Sequence, residues 1–170
     1  MFSPGPALFL KSIGLSPGNW RRGLLIAAVG APLAVLSGFI GSRDPELGRF
    51  YPFSKTACRS TKSFLAFEAA YVLLYYTAWE FLYRGLIFFP LIPAVGLVPA
   101  LSVQTIISTL HHFGHPPSEI FAALGAGFVF GLIAYYTGSF FYTIFLHALT
   151  GVATDFFIFR RDYRSANTGG

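Results

Sequence analysis

The chain predicts an all-α fold, a polytopic transmembrane helical bundle of about five to six helices, and three observations predict it. Of its 170 residues, 54% are hydrophobic and only 11% charged, where soluble domains carry roughly 25% charged residues. Apolar stretches recur along the whole length, most of them near the roughly 20 residues needed to cross a hydrocarbon layer. The basic residues stand at the ends of those stretches, as orientation and anchoring signals do. Mean hydropathy is +0.60 and net charge +5; without a basic patch that charge speaks for a lipid bilayer as partner and against nucleic acid. One membrane-embedded domain over residues 1–170 is the economical organisation. Cys58 stands alone, so there is no internal disulfide framework.

Residues 1–22 hold Pro4, Pro6 and Pro17 and read as a loose or interfacial N-terminal arm. Arg21-Arg22 before Leu24–Ile40 has the outline of a signal peptide, but later segments are equally apolar and no small-x-small cleavage site follows. The segment is therefore expected to be the first transmembrane helix, with Pro32 tolerated by local backbone adjustment. Gly41–Lys62 is polar, and its basic excess (Arg43, Arg49, Lys55, Arg59, Lys62 against Asp44 and Glu46) predicts a cytoplasmic side.

Ser63–Tyr83 is the second predicted span and carries Glu68. Leu86–Gly96, interrupted by Pro90 and Pro93, is expected to be a tilted or partial helix. Val98–Phe113 follows as a span, broken by Gly114–Ser118 with Pro116-Pro117; Ile120–Tyr136 is the next. Thr137-Gly138 predicts a tight turn into Phe140–Phe159, closed by Arg160, Arg161 and Arg164, with a disordered tail over 165–170. Four spans after the basic loop, leaving Leu86–Gly96 uncounted, would return the tail to the side of that loop. No internal repeat is visible.

Ionisable side chains inside apolar segments are costly, about 2.5–3.5 kcal/mol on insertion scales, and mark interior-facing sites. Glu80 and Arg84, four apart in Thr77–Gly85, share a helix face and can pair; the plain alternative is an ion pair that only ties helices together. Thr105, Ser108 and His112 form one helical stripe that runs into His111-His112-Phe113-Gly114-His115-Pro116-Pro117-Ser118-Glu119. A third stripe comprises His147, Thr150/Gly151 and Thr154/Asp155. Ala123, Gly127 and Gly131, every four residues, offer a face for close helix packing.

A glutamate can act as general base, and a histidine can orient water or donate to a developing oxyanion. Two histidines, acids and an arginine from three segments thus supply the parts of a water-using hydrolase. Glu80, Arg84, His112 and His147 are expected to converge on one polar cavity, with Asp155 a candidate partner for Arg84. Glu119 is expected to cap a helix beginning at Ile120 and to point back towards His112 or His115. A divalent metal such as zinc on Glu80, His112, Glu119 and His147 is chemically allowed, although no HExxH spacing is present and none is required.

Trp79-Glu80-x-x-x-Arg84-Gly85, the helix ending in His112 and the late helix bearing His147 resemble the CPBP family. These are the CAAX-prenyl-protease and bacteriocin-processing (Abi) intramembrane proteases, and the resemblance covers residues 64–159. It implies that the motif glutamate and the first histidine activate water, while the last histidine and an Asn or Asp four residues on form the oxyanion hole. The chain departs from that pattern: Trp79 stands for the first glutamate of a Glu-Glu pair, Ser108 for a Phe and Gly151 for the Asn or Asp. His112-Phe113-Gly114-His115-Pro116-Pro117-Ser118-Glu119 and His147…Asp155 are similar to a bacterial Trp-Glu-x-x-x-Arg-Gly branch, with His115 in the usual Lys place.

The resemblance implies an endopeptidase of the bacterial cytoplasmic (inner) membrane that needs no cofactor and cleaves a membrane-embedded or lipidated peptide or protein. Glu80, His112, His147, Arg84, Glu119 and Asp155 are its candidate site residues. The rival from a different class is a non-catalytic membrane protein with an immunity or regulatory role, favoured by Trp79 and Gly151. Haem ligation by His112 and His147 leaves the acids and the arginine without a task. A transporter built on breaks at Pro90 and Pro93 would need a repeat that the chain lacks.

Overall fold

A computed structural model describes residues 5–168, with side chains described as far as Asp162. The described residues form helices and short connecting turns, without a strand, as a chain that must satisfy its backbone inside lipid requires. In chain order the helices are α1 (Pro6–Ser12), α2 (Trp20–Gly41), α3 (Pro45–Phe50), α4 (Thr61–Val95), α5 (Leu97–Leu110), α6 (Pro117–Thr137) and α7 (Phe141–Thr168). Among the described residues, four apolar stretches are long enough to cross a membrane: α2, α4, α6 and Phe141–Asp162 of α7. The structure is thus an all-α polytopic bundle. Residues 169–170 of the expected tail lie outside the described residues, and the last helix runs on to Thr168.

Two predicted elements are redrawn. Leu86–Gly96 is not a separate partial helix but the end of α4. Val72–Tyr76 and Phe81–Phe88 are wound as wide, π-type turns, and Pro90 stands in the first turn of the regular segment Phe89–Val95 that follows them, where a missing N–H costs least. The Thr77 hydroxyl donates to the Val72 carbonyl at 3.1 Å. The expected span Val98–Phe113 is shorter, α5 having 14 residues; at 1.5 Å per residue that is about 21 Å, against a hydrocarbon core of about 30 Å.

The chain divides into two compact units: residues 1–28 with 78–145, and residues 29–77 with 146–170. In the first unit, Gly96 at φ 88° reverses the chain between α4 and α5, and Phe88, Ala100, Leu101 and Ala134 form its buried apolar core. The small face of α6 lies on α5. A Cβ on Gly127 would come within 3.1 Å of Thr105 Cγ2 and 3.2 Å of Ser108 Oγ, and one on Gly131 would meet Leu101 and Gln104. Close packing of this kind substitutes for the hydrophobic drive that lipid does not provide. Gly138, left-handed at φ 68°, ends α6. At the end of the expected N-terminal arm, Asn19 N donates to the Thr137 carbonyl at 2.6 Å and the Tyr142 hydroxyl to that of Pro17 at 2.8 Å.

The second unit pairs the end of α2 with α7. A Cβ on Gly38 would press on Ala153 Cβ and the Thr150 carbonyl, each at 2.7 Å, so only glycine fits there. Asp44 caps α3 through Glu46 N at 2.8 Å, and Ser60 caps α4 through Ser63 N at 3.1 Å. Phe64 of α4 stacks on Phe159 of α7 at 4.4 Å, and Arg161 Nη1 donates to the Ser42 carbonyl at 2.8 Å.

Candidate active site

In the first unit the motif Trp79–Gly85 runs from the regular turn Thr77–Glu80 into the wide turns of Phe81–Phe88, a winding often found where a helix does chemistry. Glu80 is fully buried and Arg84 is 2% exposed, and Arg84 Nη1 meets Glu80 Oε1 at 3.2 Å. The guanidinium also lies 5.6 Å above the Phe130 ring, a favourable placement for a desolvated cation. Arg84 Nε has no hydrogen-bond partner among the described residues.

His112 follows the end of α5, whose polar stripe is buried at Thr105 and Ser108. Its Nδ1 lies 2.9 Å from the Ser108 carbonyl. A carbonyl only accepts, so Nδ1 carries the proton and, in the neutral ring, Nε2 is left as an acceptor. The Trp79 ring packs edge-on against His112 at 5.0 Å. His115 is next, its ring 5.3 Å from that of His112, and its Nδ1 donates to Glu119 Oε1 at 3.1 Å. Helix α6 begins at Pro117 rather than Ile120, because proline suits the first turn where its missing N–H costs nothing. Glu119 therefore sits in that first turn, near the positive helix end, and turns back to His115 instead of capping.

His147 and Asp155 belong to the second unit. The Tyr76 ring stands edge-to-face with His147 at 4.9 Å, and the Tyr76 hydroxyl fills the space above Gly151, where a Cβ would overlap it. Asp155 is buried beside Glu68, both 4% exposed. The two carboxyl side chains are close enough to share a hydrogen bond.

Several residues of these sites were not singled out from the sequence. Gln104 donates to the Gly127 carbonyl at 2.8 Å and to Thr105 Oγ1 at 2.6 Å; an amide in an apolar helix next to Thr105 was a readable signal. Tyr83 bonds His111, and Tyr76 reaches His147, but neither tyrosine is distinguishable by sequence in a chain with 9 Tyr and 20 Phe. Among the described residues, no three His, Cys, Asp or Glu side chains group as the ligands of a metal ion would.

Fold and site together define an integral membrane protein that keeps an arginine and carboxylates buried within its apolar helices. The chain belongs to the Rce1-like family: the model described as type II CAAX prenyl endopeptidase Rce1-like matches residues 61–153, more than half of it. That span takes in α4, α5 and α6 whole and α7 past His147 and Gly151. No curated protein and no solved structure matches the chain.

Proposed function

We propose that this chain is an intramembrane endopeptidase that hydrolyses a membrane-associated peptide or protein, a lipidated or sorting tail being the substrate class its family favours. The observation that carries the reading is His112. Its Nδ1 lies 2.9 Å from the Ser108 carbonyl, which places the proton on Nδ1 and makes Nε2 of the neutral ring an acceptor at the end of a buried polar stripe. In this reading Glu80 acts with His112 on water, Arg84 fixes the Glu80 carboxylate, and His147 donates to the oxyanion. Glu119 orients His115 at the rim, and Asp155 steadies the helix that bears His147. The chemistry requires no metal from this residue set. A bacterial inner membrane is the setting implied by the branch resemblance.

A second reading, a non-catalytic membrane protein of immunity or regulatory type, is favoured by one packing feature. The Trp79 indole occupies the side of His112 at 5.0 Å, and the Arg84 guanidinium competes with any water proton for Glu80. The test is cleavage of a membrane-peptide library by the purified protein in lipid, alongside Glu80→Gln, His112→Ala, His147→Ala and Glu119→Gln at matched expression. We expect losses of about 10²–10⁴-fold for Glu80→Gln and His112→Ala and about 10²–10³-fold for His147→Ala. Removing one member of a buried pair also costs about 3–5 kcal/mol, so Glu80→Gln is paired with the Glu80→Gln/Arg84→Gln double variant, which recovers thermal stability but not rate. Activity that survives Glu80→Gln and disappears in Glu119→Gln transfers the base to Glu119. Absence of cleavage by the wild type favours the non-catalytic reading.

A further inference from the structure

We propose that the furrow between α2 and α7, in the second unit, binds an anionic glycerophospholipid, with one acyl chain in the furrow and the phosphate on Arg43. The furrow encloses about 480 Å³ and is lined by Ala31, Pro32, Val35, Leu36, Phe39 and Phe157, within the roughly 300–1,000 Å³ of small-molecule sites. The five residues from α2 follow helical spacing and share one face. Beside that face α2 approaches α7 closely, since a Cβ on Gly30 would come within 2.9 Å of Leu146 and one on Gly38 within 2.7 Å of Ala153.

The furrow ends on charge. Phe39 and Phe157 meet edge-to-face at 5.1 Å, and an arginine follows each ring four residues on, Arg43 on one strand of the chain and Arg161 on the other. The Arg43 guanidinium lies 4.5 Å over the Phe39 ring. Arg161 Nη1 donates to the carbonyl of the preceding Ser42 at 2.8 Å, so both cations close the same end. Arg43 is not needed to finish α2. The carbonyls of Gly38, Ile40 and Gly41 accept from the N–H groups of Ser42, Arg43 and Asp44 at 2.9–3.0 Å, and that of Phe39 accepts from the Ser42 hydroxyl at 2.7 Å. Of the neighbouring acids, Asp44 accepts from Glu46 N at 2.8 Å and Asp162 from Arg161 Nε at 3.0 Å. Arg43 is exposed and makes no ion pair among the described residues.

This shape selects an amphiphile. From Ala31 to Phe39 the furrow runs about 12 Å at 1.5 Å per residue, close to one leaflet's half, about 15 Å, of a hydrocarbon core about 30 Å thick. A ligand that matches it is apolar for the depth of a leaflet and anionic at the outer end. Arginine suits phosphate through its planar fork of donors, and stacking on an aromatic face leaves the edge of that fork to a ligand. The same end carries the basic loop, whose expected cytoplasmic side is the leaflet where anionic lipids concentrate. An acidic protein tail would meet the arginines but leave the furrow unfilled.

The experiment uses the full chain in micelles, with phosphatidylglycerol or phosphatidylcholine of identical acyl chains added sparingly. Native mass spectrometry reads the lipid retained, and a melting curve reads stability. We expect a single phosphatidylglycerol to be held about tenfold more tightly than phosphatidylcholine, as a hydrogen bond to a charged group allows, and to raise the melting temperature. Arg43→Gln should erase the preference between the two lipids while melting like the wild type in phosphatidylcholine. Leu36→Trp, which fills the furrow, should weaken retention of both. Arg160→Gln, which removes an exposed arginine lying over Phe156 instead, should change neither. Equal retention of the two lipids by the wild type, or an Arg160→Gln loss as large as that of Arg43→Gln, means diffuse surface charge and overturns the proposal. Displacement of the lipid by inorganic phosphate also overturns it, since the site would then need no chain. Displacement by farnesol at equal concentration does the same, since the site would then need no headgroup.

Discussion

Gln104 shows how little polarity this interior tolerates and how tightly it is used. Its amide nitrogen serves the Gly127 carbonyl and the Thr105 hydroxyl together, and that is possible only because Gly127 lets α6 approach. Replacing Gly127 with Leu drives a side chain into Thr105 and Ser108, atoms already 3.1–3.2 Å from a bare Cβ. We expect a loss of about 1–3 kcal/mol, measured by reversible unfolding in mixed micelles, with Gly125→Leu, where a Cβ meets nothing within 4 Å, as the neutral comparison. The polar stripe Thr105–Ser108–His112 and the small face of α6 were legible in the sequence because both follow helical spacing. The partners of Tyr76 and Tyr83 were not. Aromatic side chains serve packing and chemistry alike, and only the path of the backbone says which.

Among the elements, α4 is where sequence and structure part. Two prolines and a glycine between residues 85 and 93 argue for a break, yet the helix runs through to Val95. A proline ends a helix when its carbonyl clash and missing donor have no relief; Pro90 finds it in a first turn that follows the wide turns, which no local residue pattern announces. The same turns set the direction of Arg84. Deleting the exposed Leu82 from Phe81–Phe88 should return the segment to regular winding and move Arg84 from four to three residues after Glu80. Circular dichroism is expected to show helix content close to wild type, while hydrolysis falls, because Arg84 then meets Glu80 from a different angle on the helix face. Retained hydrolysis would make the wide turns a feature of packing alone.

At the scale of the whole molecule, composition alone carried the fold class, since 54% hydrophobic and 11% charged residues leave few solvents other than lipid. Orientation is the remaining global property, and the single cysteine offers a handle on it. Cys58 lies in a short turn, Ala57–Arg59, within the basic loop; burial pushes its thiol above the usual range, and Lys55 opposes the shift. With the loop on the cytoplasmic side, a membrane-impermeant maleimide should label inverted vesicles and spare intact cells. Because the thiolate is the reacting form, labelling should keep rising with pH past the point where an ordinary cysteine levels off. Lys55→Ala should slow it at any fixed pH, since the removed charge favours the thiolate.

The shortness of α5 has its own consequence for the lipid. A helix of about 21 Å flanked by spans of 21 or more residues creates a hydrophobic mismatch on one side of the protein, which a bilayer answers by thinning there. Headgroups and their hydration shell are drawn inward along α5 to the depth of its last turn. The exposed His111 and the half-buried His112 and His115 then stand at a dimple in the interface rather than under a full leaflet. In the endopeptidase reading, the shape of the membrane would thereby bring water to the end of α5.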